Sequence, residues 1–219
     1  PDCLRCGDCA NACPAEALVI TGRLMTVAEV MTALEKDALF YHESGGGITF
    51  SGGEPLMQGD FLAALLAASQ QRGWHTAVDT CGYAPPNTLR SIIPLTDLFL
   101  YDLKHLDDAA HRHMTGVSNQ LILSNLDLLL QAGTSVDIRF PVIPGMNDHA
   151  DHIHNLGAFL RKRDVKKLHL LPYHPLGKDK YDLRGMHYLL PDLAAPSEAH
   201  LSGLARQLSE YGLEIIMGG

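Results

Sequence analysis

The chain has 219 residues, enough to bury one substantial core, so one main domain with a small appendage is expected. A formal charge of −8 and an isoelectric point near 5.8 argue against nucleic acid as a partner. Every apolar run is interrupted by a charge or by Gly and Pro within about a dozen residues, which argues against a membrane-spanning helix. With no leader-like segment at its start, the expected location is a reducing cytoplasm.

The chain opens on Cys3-x2-Cys6-x2-Cys9-x3-Cys13-Pro14. This is the bacterial-ferredoxin spacing, in which two-residue gaps let a tight loop wrap three thiolates around one iron–sulfur cluster. Zinc sites also use paired cysteines, but the third cysteine and the Cys-Pro ending favour iron and sulfur. In two-cluster ferredoxins the fourth cysteine serves the other cluster, and no second set of such cysteines follows here, so the motif reads as half of a larger unit. The start at Pro1, directly on this motif, looks like a cut.

Thr26-Val-Ala-Glu29 is a capping box that opens a periodic apolar stretch, predicting a helix to about Tyr41. Ser44 to Gly47 breaks it and leads into a short strand, Ile48 to Phe50. Helices are predicted from Phe61 to Gln71, from Pro85-Pro86 onward, from Leu121 to Gln131, from His149 to Arg163 and from Ser197 to about Gly212. Strands are predicted at His75 to Val78, Asp97 to Tyr101, Val136 to Val142, Leu168 to Leu171 and Leu213 to Met217. Strand and helix alternate throughout, so the sheet is expected to be parallel and the fold class α/β.

In parallel α/β sheets ligands bind at the carboxyl ends of the strands. Five of the predicted strands run into polar or permissive residues there: Ser51-Gly-Gly-Glu-Pro55, Asp79-Thr80, Asp102-Leu-Lys104, Arg139 with Pro141 to Gly145, and Pro172-Tyr-His174. Adjacent glycines allow close backbone approach, and Glu54 suits an ammonium group. Lys104, Arg139 and His174 suit a carboxylate or a ribose, so the set reads as a site for an amino-acid-like ligand. Taken singly, each motif has a plainer reading: a turn at Gly-Gly-Glu-Pro, a surface ion pair at Asp102 and Lys104, a core histidine at His174. Cys81, alone after the second strand, reads as packing. His149, His152 and His154 lie among acidic residues at a helix start, which reads as a solvated end rather than a metal site.

Taken in order, the cysteine run, Ser51-Gly-Gly-Glu-Pro55, Asp79-Thr80, Tyr101-Asp-Leu-Lys104, Arg139 with Pro141-Val-Ile-Pro-Gly145, and Leu170-Leu-Pro-Tyr-His174 closely resemble glycyl-radical-enzyme activating enzymes of the pyruvate formate-lyase activase type. These are radical S-adenosylmethionine (SAM) proteins. The resemblance runs from Cys3 to about Tyr181. It implies a partial (β/α) barrel over residues 23–219, lacking its first strand, and a partial ferredoxin-like [4Fe–4S] segment over residues 1–22. It further implies that a reduced [4Fe–4S] cluster and SAM generate a 5′-deoxyadenosyl radical, which installs a glycyl radical on a partner enzyme. The reductant would be a flavodoxin or a ferredoxin.

By the same resemblance Gly52, Gly53 and Glu54 hold the methionine amino group, and Asp79, Thr80 and Asp102 belong to the cation and SAM-carboxylate region. Lys104, Arg139 and His174 contact the rest of SAM, and Cys3, Cys6, Cys9 and Cys13 hold an auxiliary cluster. One departure stands out: the Cys-x3-Cys-x2-Cys run that holds the SAM-cleaving cluster in the family is not present. The chain is therefore expected to correspond to the carboxyl-terminal three-quarters of an activase and to be inactive by itself. A non-catalytic SAM-binding or partner-docking remnant with an electron-transfer segment is the alternative.

Overall fold

The computed structural model describes residues 6–20, 22–175, 181, 185–188, 190 and 192–218. Six parallel strands form one sheet in strictly sequential order: β1 (Gly47–Phe50), β2 (His75–Thr80), β3 (Leu98–Asp102), β4 (Ser135–Val142), β5 (Lys167–Pro172) and β6 (Glu214–Met217). Helices α1 (Asp8–Asn11), α2 (Val27–Leu34) and α3 (Ala38–Ser44) precede the sheet. Between strands lie α4 (Gly59–Gln70), α5 (Pro86–Ile92), α6 (Asp108–Thr115), α7 (Gln120–Gln131), α8 (Ala150–Lys162) and α9 (Glu198–Ser209). Sequential order with a helix in each connection is the curving arrangement of a partial α/β barrel, as the alternation predicted. None of the helices among the described residues is long and apolar enough to cross a membrane.

The strands alternate, and the alternation separates core from site. On β4 Ile138, Phe140 and Val142 are fully buried against the helices, while Asp137 and Arg139, which alternate with them, face the other side. On β3 the same holds for Phe99 and Tyr101 against Asp102. Leu126 and Leu129 of α7, Leu156 and Leu160 of α8, and Leu204 and Leu208 of α9 complete the main core. Each such side chain contributes about 1.5–3 kcal/mol through burial. Met31, Ile48, Leu65 and Trp74 form a smaller cluster where α2 and α4 cover β1.

The capping box forms as expected: the Thr26 amide donates to Glu29 at 2.7 Å and the Glu29 amide donates to Thr26 at 3.3 Å. The single helix expected to Tyr41 is instead broken by a 3-10 turn at Glu35–Asp37. There Arg72 of the α4 end donates twice to Glu35, at 2.9 and 2.7 Å, and beyond the turn Tyr41 meets Trp74 edge-on at 5.3 Å. Tertiary contacts that periodicity does not contain set this break. Helix α6, for which the apolar pattern gives no prediction, buries only His111 and so has no apolar stripe. Its local signal is Asp107, whose side chain accepts from the Ala110 amide at 2.8 Å.

Candidate functional site

The carboxyl ends of β1 to β4 enclose a cavity of about 250 Å³ lined by Ser51, Gly52, Gly53, Glu54, Asp79, Thr80, Cys81, Asp102, Lys104 and Arg139. Eight of the nine predicted cofactor-binding residues are thus brought together. His174, exposed in the turn after β5, is not among the lining residues.

Each wall is built by its strand end. After β1, Gly52 takes φ +133°, a value side chains rarely adopt, and a Cβ on Gly52 or Gly53 would meet nothing within 4 Å. The backbone there therefore faces open space. Glu54 caps the turn Pro55–Gln58 by accepting from the Leu56 amide at 3.2 Å. The same oxygen accepts from the Thr80 hydroxyl at 2.6 Å, and its other oxygen from the Cys81 amide at 2.9 Å and thiol at 2.9 Å. Cys81 is therefore a wall of the site rather than packing. Burial and the Glu54 carboxylate push its thiol up to about 11, so it carries its proton and donates. Nothing in the sequence around a lone cysteine signals this role; its position two residues beyond Asp79 is the only clue.

The opposite wall is ionic. Arg139 pairs with Asp79 at 2.5 Å and with Asp102 at 3.5 Å, and Lys104 pairs with Asp102 at 3.6 Å. Ser51 adds a hydrogen bond to Asp79 at 3.1 Å. Asp102 Oδ1 and Arg139 Nε are buried and meet each other at 3.5 Å as an ion pair without forming a hydrogen bond. Burial raises the Asp102 carboxyl above its ordinary range, and Lys104 and Arg139 offset this only in part. Formally the lining holds three carboxylates (Glu54, Asp79, Asp102) and two cations (Lys104, Arg139), a balance of one negative charge. Such a lining is complementary in net charge to a ligand that carries one positive charge.

Three asparagines absent from the sequence reading fix the loops around this rim. Asn147 Nδ2 donates to Lys104 O at 3.0 Å and Pro141 O at 2.7 Å, and its Oδ1 accepts from Ile143 N at 2.8 Å. Asn125 Nδ2 donates to Gly82 O and Ala84 O, both at 2.8 Å, and Asn119 Nδ2 donates to Leu106 O at 2.7 Å. Gly82 at φ +69° leaves no alternative residue, since a Cβ would lie 1.8 Å from the Tyr101 hydroxyl.

Away from the cavity, Cys6 and Cys9 are exposed and Cys13 is partly so, while Cys3 lies outside the described residues. The amides of Leu18, Ala15, Ala17 and Glu16 hold the Cys13 thiol below its ordinary value, favouring the thiolate that a metal ligand must be. No group of three metal-binding side chains converges among the described residues. Of the helix-start histidines, His149 and His154 are exposed as expected, but His152 is buried and stacks on His105 with ring centroids 3.9 Å apart.

The parallel sheet with its polar strand ends defines a class. Residues 4–156 match the Radical SAM superfamily, and the chain belongs to that superfamily. Within it the chain belongs with the activating enzymes of glycyl radical enzymes. It is 41% identical to the choline trimethylamine-lyase activating enzyme of Oleidesulfovibrio alaskensis, over 92% of this chain and 66% of that protein. It is 37% identical to the trans-4-hydroxy-L-proline dehydratase activating enzyme of Clostridioides difficile, over 99% of this chain and 82% of that protein. A crystal structure of a domain of pyruvate-formate lyase-activating enzyme from Bacteroides vulgatus superposes with a TM-score of 0.67 at 34% identity, covering 80% of this chain and 99% of that one. The chain spans 57% to 66% of the length of several curated relatives it matches.

Proposed function

We propose that residues 23–219 form the SAM-binding barrel of a glycyl-radical-enzyme activase, and that residues 1–22 are a ferredoxin-like segment whose Cys3, Cys6, Cys9 and Cys13 hold a [4Fe–4S] cluster. The observation that carries this reading is the convergence of Gly52, Gly53, Glu54, Asp79, Thr80, Asp102, Lys104 and Arg139 on one cavity. SAM carries a sulfonium, an ammonium and a carboxylate, one net positive charge, which complements the lining.

SAM bound in this cavity beside a reduced [4Fe–4S] cluster would supply radical chemistry, a 5′-deoxyadenosyl radical able to take a hydrogen atom from a glycine of the partner enzyme. The chain's own residues position and exclude. Glu54 receives the ammonium, while the bare backbone at Gly52 and Gly53 lets the methionine chain lie close. Arg139 and Lys104, held by Asp79 and Asp102, meet the carboxylate and the ribose. No Cys-x3-Cys-x2-Cys run occurs within the 219 residues, so this reading assigns them SAM binding and partner docking rather than the cluster that cleaves SAM. The partner is a glycyl radical enzyme and the electron source a flavodoxin or ferredoxin.

Two measurements test the reading. Glu54→Ala removes a charge-assisted hydrogen bond worth about 1.5–3 kcal/mol, so SAM affinity measured by calorimetry should fall about tenfold to a hundredfold. Unchanged affinity would sink the site assignment. Cys6→Ser should lower the iron bound per chain after anaerobic reconstitution, and equal iron in the two proteins would refute the ligand assignment.

A further inference from the structure

The Glu54 carboxylate is already saturated. An ionised carboxylate offers about four lone-pair positions, and four donors of this chain occupy them. The Leu56 amide and Thr80 hydroxyl take Oε1, and the Cys81 amide and Cys81 thiol take Oε2. An arriving ammonium group has to displace one of them.

Three of the four are fixed. The Leu56 amide belongs to the turn Pro55–Gln58, and the Cys81 amide is main chain at the end of β2. The Thr80 hydroxyl is locked in turn, because it accepts from the Gly82 amide at 2.9 Å while it donates to Glu54. The thiol is different: S–H is the weakest donor of the four, and it hangs on a rotatable bond in the cavity wall. Independently, the backbone at Gly52 and Gly53 beside Glu54 faces open space in the same cavity, where an added Cβ would meet nothing within 4 Å, so there is room for a ligand next to the carboxylate.

We infer that Cys81 is a positioning residue whose thiol holds the Glu54 carboxylate in place while the site is empty and yields its position on Oε2 to the ammonium group of SAM. The inference rests on the reading of the cavity as a SAM site. It differs from a packing role in the order of affinities it requires. Serine is the near-isosteric replacement, but its hydroxyl is a stronger donor and harder to displace. Alanine leaves the position open.

SAM binding is therefore measured by calorimetry on anaerobically reconstituted wild type, Cys81→Ser, Cys81→Ala and Glu54→Ala. The Ser variant is expected to bind about fivefold more weakly than wild type, the equivalent of about one hydrogen bond. The Ala variant is expected to bind no more weakly than wild type. A packing role gives the reverse, with Ser near wild type and Ala weakest, and that order overturns the inference. The infrared S–H stretch of Cys81, isolated by subtracting the Cys81→Ser spectrum, supplies a second readout. SAM should shift it to higher frequency as the bond to Glu54 is released, and methylthioadenosine, which lacks the ammonium group, should not. A band that SAM leaves unmoved while calorimetry shows SAM bound overturns the role of Cys81 and leaves the SAM site standing. Equal SAM affinity in Glu54→Ala and wild type overturns both.

Discussion

At the scale of single residues, the buried His152 gives the protein a built-in pH dependence. Its ring stacks on His105, lies 5.9 Å from Phe140, and has Nε2 buried without a hydrogen-bond partner among the described residues. Burial, reinforced by His105 and His149 and opposed by Asp107, pushes its pKa from 6.5 down to about 4. Below pH 6.5 the unfolded chain takes up a proton that the folded chain refuses, so stability falls as pH drops from about 6.5 to about 4. The sign is that of a group held neutral by its fold, whose contribution is complete above the unfolded value. Allowing for water at the ring edge, the loss between pH 7 and pH 5 should be about 1–2 kcal/mol. Replacing the imidazole by a phenyl ring, His152→Phe, keeps a ring against His105 and should flatten that part of the curve. Chemical denaturation at the two pH values reads the effect, and identical slopes in both proteins would exclude His152 as its source.

At the scale of elements, strands and their connecting loops differ in how they can be read. Strands β1 to β6 were legible because short apolar runs bounded by turn residues recur at regular spacing. The site was legible because parallel strands deliver their carboxyl ends to one rim, so Glu54, Asp79, Asp102 and Arg139 could be grouped without coordinates. What holds the rim was not legible. Asn119, Asn125 and Asn147 are all buried, yet in the sequence each is an ordinary loop or helix-surface residue. Their partners are backbone atoms as many as 43 positions away, which no periodicity encodes. Cys81 was misread for the same reason, since its partner Glu54 lies 27 positions back. Asn147 ties the loop after β3 to the end of β4, and Asn147→Ala would leave three backbone groups in the interior without their partner. At about 1 kcal/mol for each lost bond, the variant should be less stable by about 3 kcal/mol. It should also bind SAM more weakly, because Lys104 O is one of the groups released. Denaturant titration and calorimetry together check this, and a fully stable variant would mean that the loop is held by other contacts.

At the scale of the whole molecule, sequential strand order leaves β1 and β6 as the two edges of the described sheet, and α3 beside β1 carries exposed apolar side chains. Leu39 and Phe40 of α3, the helix that leads into β1, are 65% and 67% exposed. An edge strand presents a row of unpaired amide and carbonyl groups, and apolar side chains next to it favour pairing with another chain. Thr49 in the middle of β1 is exposed and uncharged, so β1 itself has none of the edge charges that commonly discourage such pairing. The overall charge of −8 opposes association only through a screened, long-range repulsion. These 219 residues should therefore self-associate as concentration rises, and more strongly at high salt, where the repulsion fades and the apolar contact strengthens. Leu39→Glu with Phe40→Lys places charge on the α3 surface without touching the main core, and should shift sedimentation-velocity profiles toward the monomer at equal concentration. If the double variant associates as strongly as the parent, the contact lies elsewhere. If association weakens as salt is added, it is electrostatic rather than apolar, and the β1 edge is not its origin.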